Sequence, residues 1–320
     1  MLIDEKKIKL WSTVGPRATL GLACLDLVKE IKNLMVLTCD VSTSAGLDRF
    51  RKTYPNNYLD LGIAEQNMVS VGAGLSSEGF NVLATTFAPF QTARCCEQIK
   101  VNAGYMKQKI CMVGIASGLV LGNLGFTHCA IEDVGILRSI PNINILSPSD
   151  SLETVKCVTA ALKSDQSCYI RLTGAANNPI VNNQDYDFTI GKSITLKQGN
   201  KSAIFATGAS VHTSLQAAEE LKKHGVDVSV INMHSIKPID RDILKDASEK
   251  YTTIFSIEEH NIIGGLGSAI SEEITKLNKI PRLIKIGIND EYSKGGSYEY
   301  LKQNSGLTKD KIVESVLKNL

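Results

Sequence analysis

The chain has 320 residues, 43% hydrophobic and 21% charged, a balance that excludes a disordered or fibrous polypeptide and leaves room for two domains. Lys plus Arg number 35 against 33 Asp plus Glu, a formal charge of +2, so charge gives no reason to expect a nucleic-acid or membrane-surface partner. No apolar run approaches the roughly 18–20 residues a membrane helix needs; the least polar stretch, Val113 to Leu121, is broken by Gly114, Ser117 and Gly118.

The segment Met1 to Lys7 has no apolar core and no small-residue cleavage site, and reads as free of a secretion signal. Helical spacing then predicts a helix over 18–32, followed by an apolar strand over 34–39. The alternation continues with a helix over 65–78, a strand over 82–86, a helix over 91–103 and a strand over 110–115. Further strands are expected over 144–147 and 167–171, with a helix over 151–164 between them. That helix has its cap in Pro148-Ser149-Asp150-Ser151, just before Glu153. Continuous apolar strands alternating with helices predict an α/β fold with a mostly parallel sheet covered on both faces.

The polar stretch Gly174 to Asp187, with Asn177-Asn178-Pro179 and Asn182-Asn183-Gln184-Asp185, breaks this pattern. It sets a domain boundary near residue 190, giving a first domain over 1–188 and a second over 189–320. The second is again α/β, with strands at 202–207, 226–232 and 252–257 and helices at 210–224 and 268–277. Eight cysteines, none in a Cys-x-x-Cys pair, sit mostly in apolar runs. They read as buried, reduced thiols of a cytoplasmic protein, without the paired spacing of a zinc site.

Three segments are candidates for chemistry. In Asp60-Leu61-Gly62-Ile63-Ala64-Glu65-Gln66-Asn67-Met68 a glycine turn leads into a helix opened by Glu65; taken alone, that carboxylate also suits an ordinary first turn. Phe87-Ala88-Pro89-Phe90 ends a strand, where two phenylalanines can line a flat slot or simply pack the core. Gly122-Asn123-Leu124-Gly125-Phe126-Thr127-His128 puts a histidine in a glycine-rich loop, as a structural residue or as an acid–base group. Arg17, Ser44 and Arg171 are isolated polar groups at element ends, of the kind that pair on a surface or receive a phosphate. Gly264-Gly265-Leu266-Gly267 lacks the spacing of a dinucleotide fingerprint and reads as a tight turn into the following helix.

Taken in order, Arg17, Asp40-Val41-Ser42-Thr43-Ser44, Gly62-Ile63-Ala64-Glu65-Gln66, Phe87-Ala88-Pro89-Phe90, Gly125-Phe126-Thr127-His128, Ile170-Arg171 and Glu258-Glu259-His260-Asn261 through Gly267 resemble the C-terminal half of transketolase. The resemblance runs from about residue 8 to 315. It implies a thiamine diphosphate enzyme reduced to its pyrimidine-binding and C-terminal domains. The Gly-Asp-Gly motif that holds diphosphate and metal in the family's first domain does not occur here. The resemblance therefore implies a partner chain carrying that domain and most of the hold on Mg²⁺ or Ca²⁺, with no metal ligands in this chain. It also implies a heterotetramer of two copies of each subunit.

Residue by residue, the resemblance gives Glu65 the hydrogen bond to the aminopyrimidine ring nitrogen, which favours the tautomer able to take the thiazolium proton. It sets Phe87 and Phe90 around the pyrimidine and Asp40 in the cofactor-facing loop. It assigns His128 to the donor sugar's reacting carbon and hydroxyls, and Arg17, Ser44 and Arg171 to a terminal phosphate. The chain departs from the family where the family's loop aspartate is Leu124, where its proline is Phe126, and where a second histidine is Ala116. An apolar Leu124 cannot accept from a sugar hydroxyl, which predicts a substrate pair other than xylulose 5-phosphate and ribose 5-phosphate. Three readings stand open. One is transfer of a two-carbon ketol unit. Another is a related thiamine enzyme of deoxyxylulose-phosphate synthase or 2-oxoacid dehydrogenase β type. The last is a non-catalytic partner subunit. The segment from 190 onward is given no catalytic role, and His234, Glu258, Glu259 and His260 are expected to line a surface.

Overall fold

The computed structural model describes residues 3–320; Met1 and Leu2, the start of the segment read for a leader, lie outside it. Among the described residues twelve strands follow in chain order: β1 Leu34–Thr38, β2 Tyr58–Asp60, β3 Asn81–Phe87, β4 Ile110–Ile115, β5 Ile143–Leu146, β6 Ser167–Arg171, β7 Ile194–Lys197, β8 Ser202–Ala206, β9 Val228–Asn232, β10 Ser235–Lys237, β11 Thr253–Asn261 and β12 Arg282–Ile288. They form two sheets, a seven-stranded one ordered β10-β5-β6-β4-β3-β1-β2 and a five-stranded one ordered β12-β11-β8-β9-β7. Each sheet is parallel except at one edge, where β10 runs antiparallel to β5 and β7 to β9. The expected pair of consecutive α/β domains is therefore the fold.

The strands expected from apolar runs lie within a residue or two of those positions, because β4, β5, β6, β8 and β9 are buried along their whole length, except that the strand expected over 252–257 runs on as β11 to Asn261, through Glu258, Glu259 and His260. The first helix differs. It spans Glu5–Leu27 with a kink at Gly15, which has φ 80 and is followed by Pro16. A β-carbon at Gly15 would collide with the backbone of Ala175 and Ala176, so the kink is where the first helix meets the segment after β6. The single helix expected over 91–103 is broken into Ala88–Gln91, Cys96–Gln98 and a π-helical stretch Ile99–Tyr105. The helix Ser151–Lys163 begins as predicted, with Asp150 accepting from the Glu153 amide at 2.8 Å.

The polar segment 174–187 has no regular structure and is strapped to the first domain. The amides of Asn177 and Asn178 donate to the carbonyls of Thr13 and Ser12. Those of Val181 and Asn182 donate to Asp150, and the Tyr186 hydroxyl to Glu153. The domains interlock further on: β10, in the sequence of the second domain, is the edge strand of the first domain's sheet. Leu119 and Ile131, from the loop after β4, are buried in the second domain's hydrophobic cluster. Seven of the eight cysteines are buried and all are free. Burial pushes the thiols of Cys24 and Cys95 up to about 12 and those of Cys39 and Cys129 to about 11. No helix among the described residues is long and apolar enough to cross a membrane.

Candidate functional site

The parallel strands β1, β2, β3, β4 and β6 end on the same edge of the large sheet, and the segments leaving them carry the expected site residues. After β2 comes the turn to Glu65, after β1 the loop with Asp40 and Ser44, after β3 the Phe87–Phe90 segment, and after β4 the loop with His128. Asp60, at the end of β2, joins the first two. Its Oδ1 accepts from the amides of Asp40 at 2.9 Å and Gly62 at 3.0 Å, and its Oδ2 from Thr38 Oγ1 and the Tyr58 hydroxyl. Partial burial pushes this carboxyl up, but the Asp40 and Gly62 amides and the two hydroxyls outweigh it and hold it below the usual carboxylate range. The two turns that it pins have positive φ, 56 at Asp40 and 66 at Gly62. Asp40 itself is exposed.

Glu65 opens the helix Glu65–Ser77 and is only 4% exposed. Its Oε1 accepts from Arg94 Nη1 at 2.8 Å. The Arg94 guanidinium lies 4.0 Å from the centroid of Phe90, so one cation bridges the carboxylate and the aromatic face. Phe87 and Phe90 meet edge to face with centroids 6.3 Å apart. The His128 imidazole packs against both, 5.3 Å from Phe90 and 6.3 Å from Phe87, with Nδ1 3.0 Å from Thr127 Oγ1. Glu65, Phe87, Phe90 and His128, from three separate segments, thus form one cluster. Arg94, which no sequence motif singled out, completes it. Gln66 Nε2 fastens this group from below by donating to the Arg94 carbonyl at 3.1 Å. The only sequence signal for Arg94 was its place four residues after Phe90, on a segment that already carried a candidate.

The segments that carry Arg17 and Ser44 pack against each other beside this edge. The loop after β1 crosses the first helix so closely that a β-carbon at Gly21 would collide with the Gly46 carbonyl oxygen, and one at Gly46 would lie 3.0 Å from the carbonyl oxygen of Arg17. Both side chains are half-buried. Burial draws the Arg17 guanidinium below its usual range.

Arg171 lies elsewhere, and its expected contact with substrate is corrected. Its side chain is 1% exposed and turns into the junction between the domains. There Nε pairs with both oxygens of Asp133 at 2.9 Å, and Nη2 donates to the carbonyls of Ala130 at 3.0 Å and Glu259 at 2.7 Å. With Nε and Nη2 given to buried acceptors and the side chain turned away from the open edge, the guanidinium does not fit the expected contact with a phosphate there. The surface expected for His234, Glu258, Glu259 and His260 is corrected too, since all four are buried. Glu258 caps the next helix by accepting from the amides of Leu266 and Gly267, and Glu259 accepts from the Leu119 amide and the Tyr298 hydroxyl. Gly264 has φ 82, so the glycine run is the tight turn expected of it, into the helix Leu266–Ile274. Ala116 is buried at the end of β4, whereas Leu124 is 58% exposed on the His128 loop. Among the described residues no group of three or more His, Cys, Asp or Glu side chains is placed to hold a metal ion.

Comparison with known proteins shows the family of the chain. The family pattern described as "Transketolase, pyrimidine binding domain" matches residues 13–177, and "Transketolase, C-terminal domain" matches 191–312. An apulose-4-phosphate transketolase subunit of Phocaeicola vulgatus is 34% identical over 293 residues, covering 92% of this chain and 93% of that protein. A 6-deoxy-6-sulfo-D-fructose transketolase subunit of a Clostridium species is 33% identical over 291 residues, 91% of this chain and 90% of its own. A solved split-gene transketolase, described as an inactive beta4 tetramer, superposes with a TM-score of 0.88 at 33% identity, over 95% of this chain and 98% of that one. The chain belongs to the transketolase family, as the half that holds the pyrimidine-binding and C-terminal domains.

Proposed function

We propose that this chain is the C-terminal subunit of a two-chain transketolase, which moves a two-carbon ketol unit from a ketose donor to an aldose acceptor. It works only with a partner chain that supplies the diphosphate-binding domain and most of the hold on Mg²⁺ or Ca²⁺. The assembly we favour is α2β2, in a cytoplasmic setting, where unpaired thiols stay reduced. One observation carries the reading: a nearly buried carboxylate, Glu65, in the same cluster as two edge-to-face phenylalanines and a histidine.

That donor set suits an aminopyrimidine. The ring is flat and aromatic, so it can pack on Phe87 and Phe90, and its polar ring atoms need a hydrogen-bonding partner such as Glu65. Thiamine diphosphate, once bound, supplies the nucleophilic carbon that attacks the donor's carbonyl. The residues of this chain bind and orient. Glu65 takes the aminopyrimidine nitrogen, and Arg94, fixed by Phe90 and Gln66, sets the carboxylate's position. Asp40 stands in the turn beside it. His128 faces the donor sugar and moves a proton at its hydroxyls or steadies charge on its oxygen. Arg17 and Ser44, on the closely packed turn pair, receive the far anionic end of the sugar.

The substrates are proposed to be modified sugars. Leu124 exposes an apolar side chain on the loop that carries His128, and Ala116 offers no hydrogen bond. The relatives that act on apulose 4-phosphate and on a sulfonated fructose fit that direction. The test is co-expression with the chain encoded beside it, then assay with thiamine diphosphate, Mg²⁺ and a panel of ketose phosphates and sulfonates. Two-carbon transfer that disappears in Glu65→Ala supports the reading. Carbon dioxide release from pyruvate, with no ketol transfer, overturns it.

A further inference from the structure

The loop after β4 is an excursion closed at its base. Gly118 and Ala130 exchange backbone hydrogen bonds, at 2.9 Å from the Gly118 amide and 3.1 Å from the Ala130 amide. Besides Arg171 at Ala130 and the two phenylalanines at His128, the contacts that hold this loop come from the second domain. Glu259 Oε1 accepts from the Leu119 amide at 2.7 Å, and Oε2 from the Tyr298 hydroxyl at 2.6 Å. The same carboxylate fills the space where Gly118 lacks a side chain, so that a β-carbon there would collide with it. On the other strand of the stem, the Asn261 amide donates to the Ile131 carbonyl at 2.7 Å. Further out, the Gly296 amide donates to the Gly122 carbonyl at 3.0 Å, and Tyr292 meets Phe126 edge to face with centroids 5.4 Å apart. Asn123, Leu124 and Thr127 remain exposed and His128 half-buried.

We propose that the second domain takes part in the reaction through this clamp, with Glu259 and Tyr292 as positioning residues that fix the His128 imidazole against Phe87 and Phe90. The proposal rests on the reading of His128 as the group that faces the donor sugar. Two contacts from the second domain at the stem and two further out leave the loop little freedom, so the imidazole is held in place before substrate arrives. The energy of that ordering is met at folding, by burial of Leu119 and Ile131 in the second domain's core.

The test uses the reconstituted two-chain complex and four variants: Glu259→Ala, Glu259→Gln, Tyr298→Phe and Tyr292→Ala. The glutamine variant keeps the clamp, since its amide can accept from Leu119 and donate to the Tyr298 oxygen. Amide hydrogen exchange over residues 119–129 is expected to speed up about tenfold in Glu259→Ala and Tyr292→Ala and to stay near wild type in Glu259→Gln. Donor KM is expected to rise about fivefold in Tyr292→Ala and Tyr298→Phe, with kcat within about twofold. Neither change should add to the defect of His128→Ala in a double-mutant cycle. Unchanged exchange in Tyr292→Ala, whose side chain is 68% exposed and whose folding is not at risk, would overturn the clamp. So would losses that add in full to that of His128→Ala. A wild-type complex that transfers no two-carbon unit would instead defeat the functional reading, while the exchange data would still decide the clamp.

Discussion

Two arginine–carboxylate pairs divide this molecule. At the open edge of the large sheet, Arg94 pairs with Glu65 across 2.8 Å, with the arginine side chain 42% exposed. At the domain junction, Arg171 pairs with Asp133 across 2.9 Å, with both side chains within 1% of full burial. Distance does not separate them. What separates them is the supply of competing partners. Arg94 has water on one side and an aromatic face on the other, so it can rearrange when a ligand arrives. Arg171 has given its Nε and Nη2 donors to Asp133, Ala130 and Glu259. A charge pair on an open edge is available for chemistry, and the same pair inside a junction holds structure.

The comparison can be broken by mutation. The largest stability effect is expected for Arg171→Ala, which strands the Asp133 carboxylate and should destabilise the chain by about 3–5 kcal/mol in denaturant unfolding. Folding near wild type with only a raised donor KM would return Arg171 to the substrate site. Glu65→Gln should do the reverse. Transfer by the two-chain complex should fall by about 100-fold or more, with stability within about 1 kcal/mol of wild type. Arg94→Ala sharpens the contrast. It leaves the nearly buried Glu65 carboxylate without its cation, so stability should fall by about 1–3 kcal/mol, less than for Arg171→Ala because the space vacated at the open edge lets water reach the carboxylate. Affinity for thiamine diphosphate should weaken several-fold, as measured by activity against cofactor concentration.

A pH effect of opposite sign to ordinary acid unfolding belongs to the junction. Burial first, then the neighbouring Glu153 charge, pushes the Asp150 carboxyl up to about 6, against the opposing amides of Glu153, Asn182 and Val181. A carboxyl with a raised folded-state value binds its proton more tightly when folded. Its contribution therefore favours the fold below the unfolded value and is lost as pH rises toward 6. The stability difference between wild type and Asp150→Asn should fall over about pH 4 to 6, at a slope of at most about 1.4 kcal/mol per pH unit. A flat difference across that window would place the proton elsewhere in the Asp150–Glu153 cluster.

Sequence by itself determined the repeating pattern and the cluster at the open edge. Wholly buried strands write continuous apolar runs, and glycine turns mark where they end, so β4, β6 and β8 and the turn before Glu65 were legible. Glu65, Phe87, Phe90 and His128 were legible because each lies in a short motif leaving a strand end, and parallel strands bring such ends to one edge. The strands β2, β7 and β10 were not legible. Each has four residues or fewer, and β7 is nowhere fully buried, so none writes a pattern.

Only the tertiary structure decided which charges face solvent. Arg171 and Glu259 sit in motifs as polar as those of Glu65 and His128, and local spacing cannot tell a junction from a cleft. That choice depended on the second domain returning a strand, β10, to the first sheet and folding its own Glu259 and Tyr298 over the loop after β4. A contact between residues 140 positions apart, such as Leu119 with Glu259, has no local signature. It arises when two apolar cores close on each other and every buried donor must find an acceptor.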